Sequence, residues 1–175
     1  MSTLEVLDHG ELVAVSFDDV LKYHGRSSIA GVAHGFKVMQ RAFPLLAGGS
    51  PPERYDIMIH SAFDGAGARD AFEMVTRALT GDRYRVAPEL APVDAPHGPE
   101  GRFFFRFVYR GNVVDLKLRA GLVSDEFVQL ARRGADTPAE VERLVWLKQD
   151  MADRLLSLAA EDVYDASVNR LDSGS

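Results

Sequence analysis

The sequence predicts an α+β domain with an α-β-α-β-β-β core, a mixed four-stranded sheet and additional C-terminal helices. Three observations carry that expectation. Helix-period and strand-period segments alternate between residues 17 and 87; two aromatic and aliphatic runs then flank Arg110-Gly111-Asn112; two amphipathic helical stretches follow. At 175 residues, 46% hydrophobic and 26% charged, the chain suits one domain with one sizeable core. That domain is expected over residues 1–166, with 167–175 as a flexible tail and no internal repeat.

The first element is "SFDDVLKY". Ser16 is placed to cap, Asp18 and Asp19 fall in the first turn, and Phe17, Val20 and Leu21 form an apolar side that Gly25 ends. A second helix over about 29–44 follows from Ile29, Val32, Ala33, Phe36 and Phe43 at helical spacing, with Pro44 near its end. "LLAGGSPPER" is a loop, and "YDIMIHSAF" is a strand with Ile57 and Ile59 on one face and Met58 and His60 on the other. "GARDAFEMVTRALTG" returns to helical period up to Gly81, and the short strand "YRVA" comes next. A helical crossover between these two strands favours a parallel or separated pair.

Residues 89–101, rich in Pro and Gly, are expected to be a loop, because proline cannot donate to a sheet ladder. "RFFFRFVY" and "VVDLKLRA" then form an antiparallel hairpin. Phe103, Phe105, Phe107 and Tyr109 share one face and Val114, Leu116 and Leu118 share the partner's, which makes these seven side chains the expected sheet core. A helix follows at about 125–133. A longer one runs over 138–160, with Thr137 as cap, Pro138 at the first position and Glu140 completing a capping box. Its Trp146, Leu147, Met151 and Leu156 exceed one narrow apolar stripe, so a homodimer is expected.

The net charge of −6 argues against a nucleic-acid partner, which needs clustered Lys and Arg. No apolar run is long enough to cross a bilayer, and the first residues lack the basic start and apolar block of a secretory signal, so a cytoplasmic protein without a membrane partner is expected. Cysteine is absent, which excludes disulfides, thiolate metal sites and a thiol nucleophile.

One stretch, "YHGRSSIAGVAHGF", places small and polar residues where a core helix would use larger apolar ones. Gly31 and Gly35, four apart, permit close approach of another element or of a ligand. His24, Gly25, Arg26, Ser27 and Ser28 stand at the helix start, where free N–H groups favour anions. His60 and Asp64 stand at the end of the first strand, before a Gly-rich turn into a helix. These seven residues are the candidate ligand site. His24, His60 and Asp64 are the candidate ligands for a divalent metal held by nitrogen and oxygen, zinc or iron, and a small anion is the other candidate ligand. The competing structural readings are that His24 bonds a neighbouring segment, that Asp64 caps the helix after it, and that the glycines serve packing. His34 is placed on a different side of the helix from Gly31, at a surface or an interface.

"HGRSSIAGVAHGFKVMQRA" resembles the motif His-Gly-His-x-Cys-Pro-Gly-x-x-x-Gly-Tyr-Arg of the FmdE-like family, proteins similar to one of the components of formylmethanofuran dehydrogenase. "GARDAFEMVTRALTGDRYRV" is similar to that family's Gly-x-x-Asp-Ala segment, and "RFFFRFVYRGNVVDLKLRAGLVSDEFVQL" to its hairpin and following helix. The resemblance extends to about residue 166. It implies an α+β fold, a homodimer and a polar, metal-binding site where the His-Gly loop meets the first strand, in an accessory protein of one-carbon or metal-cofactor metabolism. The departures are specific. Arg26 replaces the second His, Ser28 stands nearest the Cys, and the family's cysteine-rich zinc module has no counterpart. Two alternatives stand beside an accessory binding protein: a small metal-dependent enzyme using His24, His60 and Asp64, and a divergent dimeric interaction protein that lost its site.

Overall fold

The computed structural model describes residues 2–171 and contains the expected α+β architecture, extended at both ends. The N-terminal segment, for which the sequence predicts no element, is a hairpin of β1 (Thr3–Asp8) and β2 (Glu11–Ser16). Its turn is His9-Gly10, both at positive φ (51° and 86°), the conformation that a two-residue hairpin requires. Leu4, Val6 and Val15 of this hairpin are buried in the main core. Helix α1 (Phe17–His24) starts as expected: the Ser16 hydroxyl accepts the Asp19 N–H, and the Asp19 carboxylate accepts the Ser16 N–H.

Helix α2 (Ile29–Leu46) carries Pro44 inside its last turn and is buried along most of its length. Strand β3 (Ile57–Phe63) leads through helix α3 (Ala66–Thr76) into β4 (Tyr84–Val86), which pairs parallel to β3 as the crossover demands. The helix expected to continue up to Gly81 ends at Thr76. Arg77 turns left-handed, and the Glu73 carboxylate accepts the N–H groups of Leu79 and Thr80, which ties that segment back as a loop.

The Pro-rich segment is not all loop: β5 (His97–Gly98) pairs with β6 (Gly101–Tyr109). Strand β6 and β7 (Asn112–Leu118) form the expected hairpin, and all seven of its expected core side chains are buried. Helices α4 (Asp125–Arg133), α5 (Pro138–Ser157) and α6 (Ala160–Val163) follow. Helix α5 ends earlier than expected because Leu158 is extended and offers its carbonyl to the buried Lys37 ammonium, 2.5 Å away.

The last correction concerns the expected tail. Tyr164–Arg170 is strand β8, paired antiparallel to β7 from Asn112↔Arg170 to Leu118↔Tyr164, so the folded unit passes residue 166; residues 172–175 lie outside the described residues. The sheet has six strands rather than four. Its principal path is β4-β3-β6-β7-β8, with β5 beside β6, and it is mixed, because among the described residues only the β3–β4 pair is parallel. Helices α2 and α3 supply side chains to the core on one face, while the loop around Leu90, Ala91 and Ala95 covers Ala62 and Phe104 in a smaller cluster. Among the described residues no helix is long and apolar enough to cross a membrane.

Candidate functional site

The glycine and alanine content of the opening stretch has a direct structural cause. Helices α2 and α3 pack backbone against backbone: a Cβ at Gly35 would lie 2.7 Å from the Ala71 Cβ, and one at Gly67 would lie 2.6 Å from the Ser28 carbonyl oxygen. Neither approach leaves room for a side chain. Small residues here bring the starts of the two helices side by side.

The seven candidate residues are divided among three places. His24 ends α1 with its side chain 8% exposed, its Nδ1 2.7 Å from the Asp70 carboxylate on α3 and its Nε2 buried without a hydrogen-bond partner. It bonds a neighbouring segment, the structural alternative raised above. Gly25 ends α1 at positive φ, Arg26 and Ser27 are exposed, and Ser28 is the cap position of α2. His60 projects from β3 on the face opposite Ile57 and Ile59, in register with Arg85 and Arg106. Burial and then these two cations lower its pKa. Asp64 is exposed, with its N–H bonded to the Glu100 carbonyl, and Gly65 rather than Asp64 occupies the cap position of α3.

His24 and His60 therefore stand on opposite sides of the sheet. The donor set His24, His60 and Asp64 does not converge on one point, and it does not fit a metal ion. Among the described residues no group of three or more His, Asp or Glu side chains is placed to hold one.

What the structure does bring together is a cavity of about 160 Å³. One wall is the first turns of the two helices: Ser28, Ala30 and Gly31 of α2, and Gly65, Ala66 and Gly67 of α3. Neither start carries a side-chain cap, whereas Ser16, Ser124 and Thr137 cap α1, α4 and α5. The first N–H groups of α2 and α3 thus have no intrahelical acceptor and no capping oxygen. Phe127 and Ala131 of α4 and Leu144, Lys148 and Met151 of α5 form the opposite wall, and Pro99 and Glu100 close one end. The Lys148 ammonium donates to the Ser27 carbonyl at 2.9 Å, which fixes it at the start of α2. Burial raises the Glu100 carboxyl above its usual pKa, and Lys148 works against that rise.

His34, Phe63 and Phe103 complete the cavity. Their rings form a stack, with Phe103 centred 4.3 Å from His34 on one side and 4.3 Å from Phe63 on the other. The expected surface position of His34 is corrected: it is 1% exposed. Three residues along a helix amount to 300°, so His34 lies on nearly the same side as Gly31, and that spacing is the signal that could have found it. Desolvation, then the Arg154 charge, lower its pKa to about 3, so the ring is neutral. Its Nδ1 is 2.8 Å from the Tyr164 hydroxyl and its Nε2 is 3.3 Å from the Met151 sulfur. A thioether cannot donate, so Nε2 carries the proton and Nδ1 accepts from the Tyr164 O–H.

Compared with known proteins, the chain matches no protein-family model and no curated protein.

Proposed function

We propose that this chain is an accessory protein that binds a small molecule in the cavity between α2, α3, α4 and α5. One observation carries the reading: at the base of the cavity a neutral His34 holds its Nε2–H against nothing stronger than a thioether. Sulfur is a weak acceptor, and a buried N–H gains when an oxygen replaces it. The two uncapped helix starts supply further donors, while Phe103, Phe127, Leu144 and Met151 supply apolar contact, the combination that small-molecule sites use.

The resemblance to FmdE-like proteins supports a role beside one-carbon or metal-cofactor metabolism, in the cytoplasm and as a homodimer. The ligand-binding part of that reading gains support from the cavity. The metal-binding part has no converging donor set here, so no chemistry is routed through a metal.

The test is amide chemical-shift mapping on labelled full-length protein with a set of rigid fragments of about six to ten heavy atoms, anionic, neutral and cationic. Changes centred on Ala30, Gly31, Ala66 and Gly67 are expected. A set that shifts none of these four amides overturns the reading.

A further inference from the structure

We infer that the cavity takes a compact monocarboxylate, its carboxylate between the starts of α2 and α3 beside Lys148 and its single apolar body against Phe103, Phe127 and Met151. This deepens the binding reading above and rests on it.

Size sets the first limit. A cavity of about 150 Å³ is enough to hold a benzene molecule. At about 160 Å³ this one has room for a single six-membered ring or a branched alkyl group with a small head group.

Charge sets the second. Lys148 contributes one positive charge and each helix start about half of one, while an ionised Glu100 subtracts one. The sum is about one positive charge, which matches a monoanion. A doubly charged phosphate would bring excess charge against phenylalanine and methionine walls, where it is poorly solvated. A cationic ligand would meet an ammonium and two positive dipole ends. Helix α2 has 18 residues and α3 has 11, enough for both to present a developed dipole.

Directionality sets the third. A carboxylate has two oxygens and about four acceptor sites. The cavity aligns donors from two sides: the first-turn N–H groups with Lys148, and the His34 Nε2–H now spent on sulfur. A primary amide would present one oxygen and place its own N–H₂ against these donors.

The test is titration calorimetry and thermal denaturation of the full chain at about pH 7 with benzoate, benzamide and inorganic phosphate as probes, alongside the amide mapping above. Benzoate is expected to bind and to raise the melting temperature with concentration, with benzamide about tenfold weaker or worse. Lys148→Met keeps the apolar stem and should weaken benzoate about tenfold while leaving benzamide unchanged. Ala66→Phe, at an exposed position on the cavity wall, should abolish benzoate binding. Benzamide or phosphate binding as tightly as benzoate, or Lys148→Met binding benzoate at parental affinity, overturns the inference. If neutral fragments still shift Ala30 and Gly67 in that case, the pocket reading survives it. If no fragment shifts them, both fall together.

Discussion

The Tyr164 hydroxyl on β8 donates to Nδ1 of His34 on α2 across 2.8 Å, joining residues 130 positions apart. Both groups are buried, and burial holds the Tyr164 phenol well above its ordinary pKa, so the proton stays on oxygen. Tyr164→Phe removes the donor and leaves a buried ring nitrogen unpaired. It should cost about 1–3 kcal/mol in urea denaturation. A cost below about 0.5 kcal/mol would contradict a buried hydrogen bond between Tyr164 and His34.

The same histidine makes stability depend on pH. Its folded pKa of about 3 lies below the 6.5 of the unfolded chain, so between these values the unfolded state binds more protons. The stabilisation is complete above about pH 6.5 and is lost as the pH falls toward 3, by up to about 1.4 kcal/mol per pH unit within the window. Urea denaturation of the parent and of His34→Gln at about pH 6.5, 5.5 and 4.5 should show a shallower dependence in the variant. Parallel curves would contradict this.

Packing at the helix crossing is equally exposed to test. Gly67→Ala would drive a Cβ to 2.6 Å from the Ser28 carbonyl oxygen and 2.8 Å from the Val32 nitrogen, both backbone atoms that cannot swing aside. The expected loss is about 1–3 kcal/mol, with the first turns of α2 and α3 pushed apart. Ala66→Gly, on the exposed side of the same turn, serves as the contrast and should lose about 1 kcal/mol or less.

Phe105 and Phe107 are fully buried between the sheet and α3, each edge-on to Phe72 at 5.7 Å. Phe105→Ala or Phe107→Ala should cost about 3–5 kcal/mol from lost burial and the cavity left behind. Melting within a degree of the parent in both would contradict the assigned core face.

Self-association is the remaining expectation. Leu147 and Met151 belong to the protomer's own core, whereas Val141, Val145 and Trp146 on α5 are exposed. Light scattering at micromolar concentration should give a dimer that Val145→Glu converts to a monomer. A monomeric parent would end this expectation.

The hairpin core, the Ser16 cap of α1, the Thr137 cap of α5 and the parallel β3–β4 crossover were legible because each rests on a local rule of spacing or composition, whereas the Glu140 carboxylate expected to complete a capping box takes the Asp136 N–H instead. The outer strands were not. "TLEVLD" and "ELVAVS" alternate only imperfectly, and their His-Gly turn is a weaker signal than Asn-Gly. Strand β8 is polar, with Asp165, Ser167, Asn169 and Arg170 exposed, and takes its place through pairing with β7 rather than through its own hydrophobicity. Of the seven candidate residues Ser28 lines the cavity, and His34, which also lines it, was not among them. His24 and His60 are separated by the sheet, a relation set by which way each strand residue faces, whereas His34 was hidden inside an apolar run.

The pairing of β8 with β7 also bears on biosynthesis. His34, which lines the cavity, is held by the phenol of residue 164, so a nascent chain that has already formed α2, β3 and α3 cannot make this contact until nearly all of it has been synthesised. Until then β7 presents an open edge of Val113, Val114 and Leu116 to its surroundings, and contacts so distant along the chain close slowly. The late strand thus sets an interval in which the β7 edge is uncovered, and defects that delay β8 should appear first as insoluble protein.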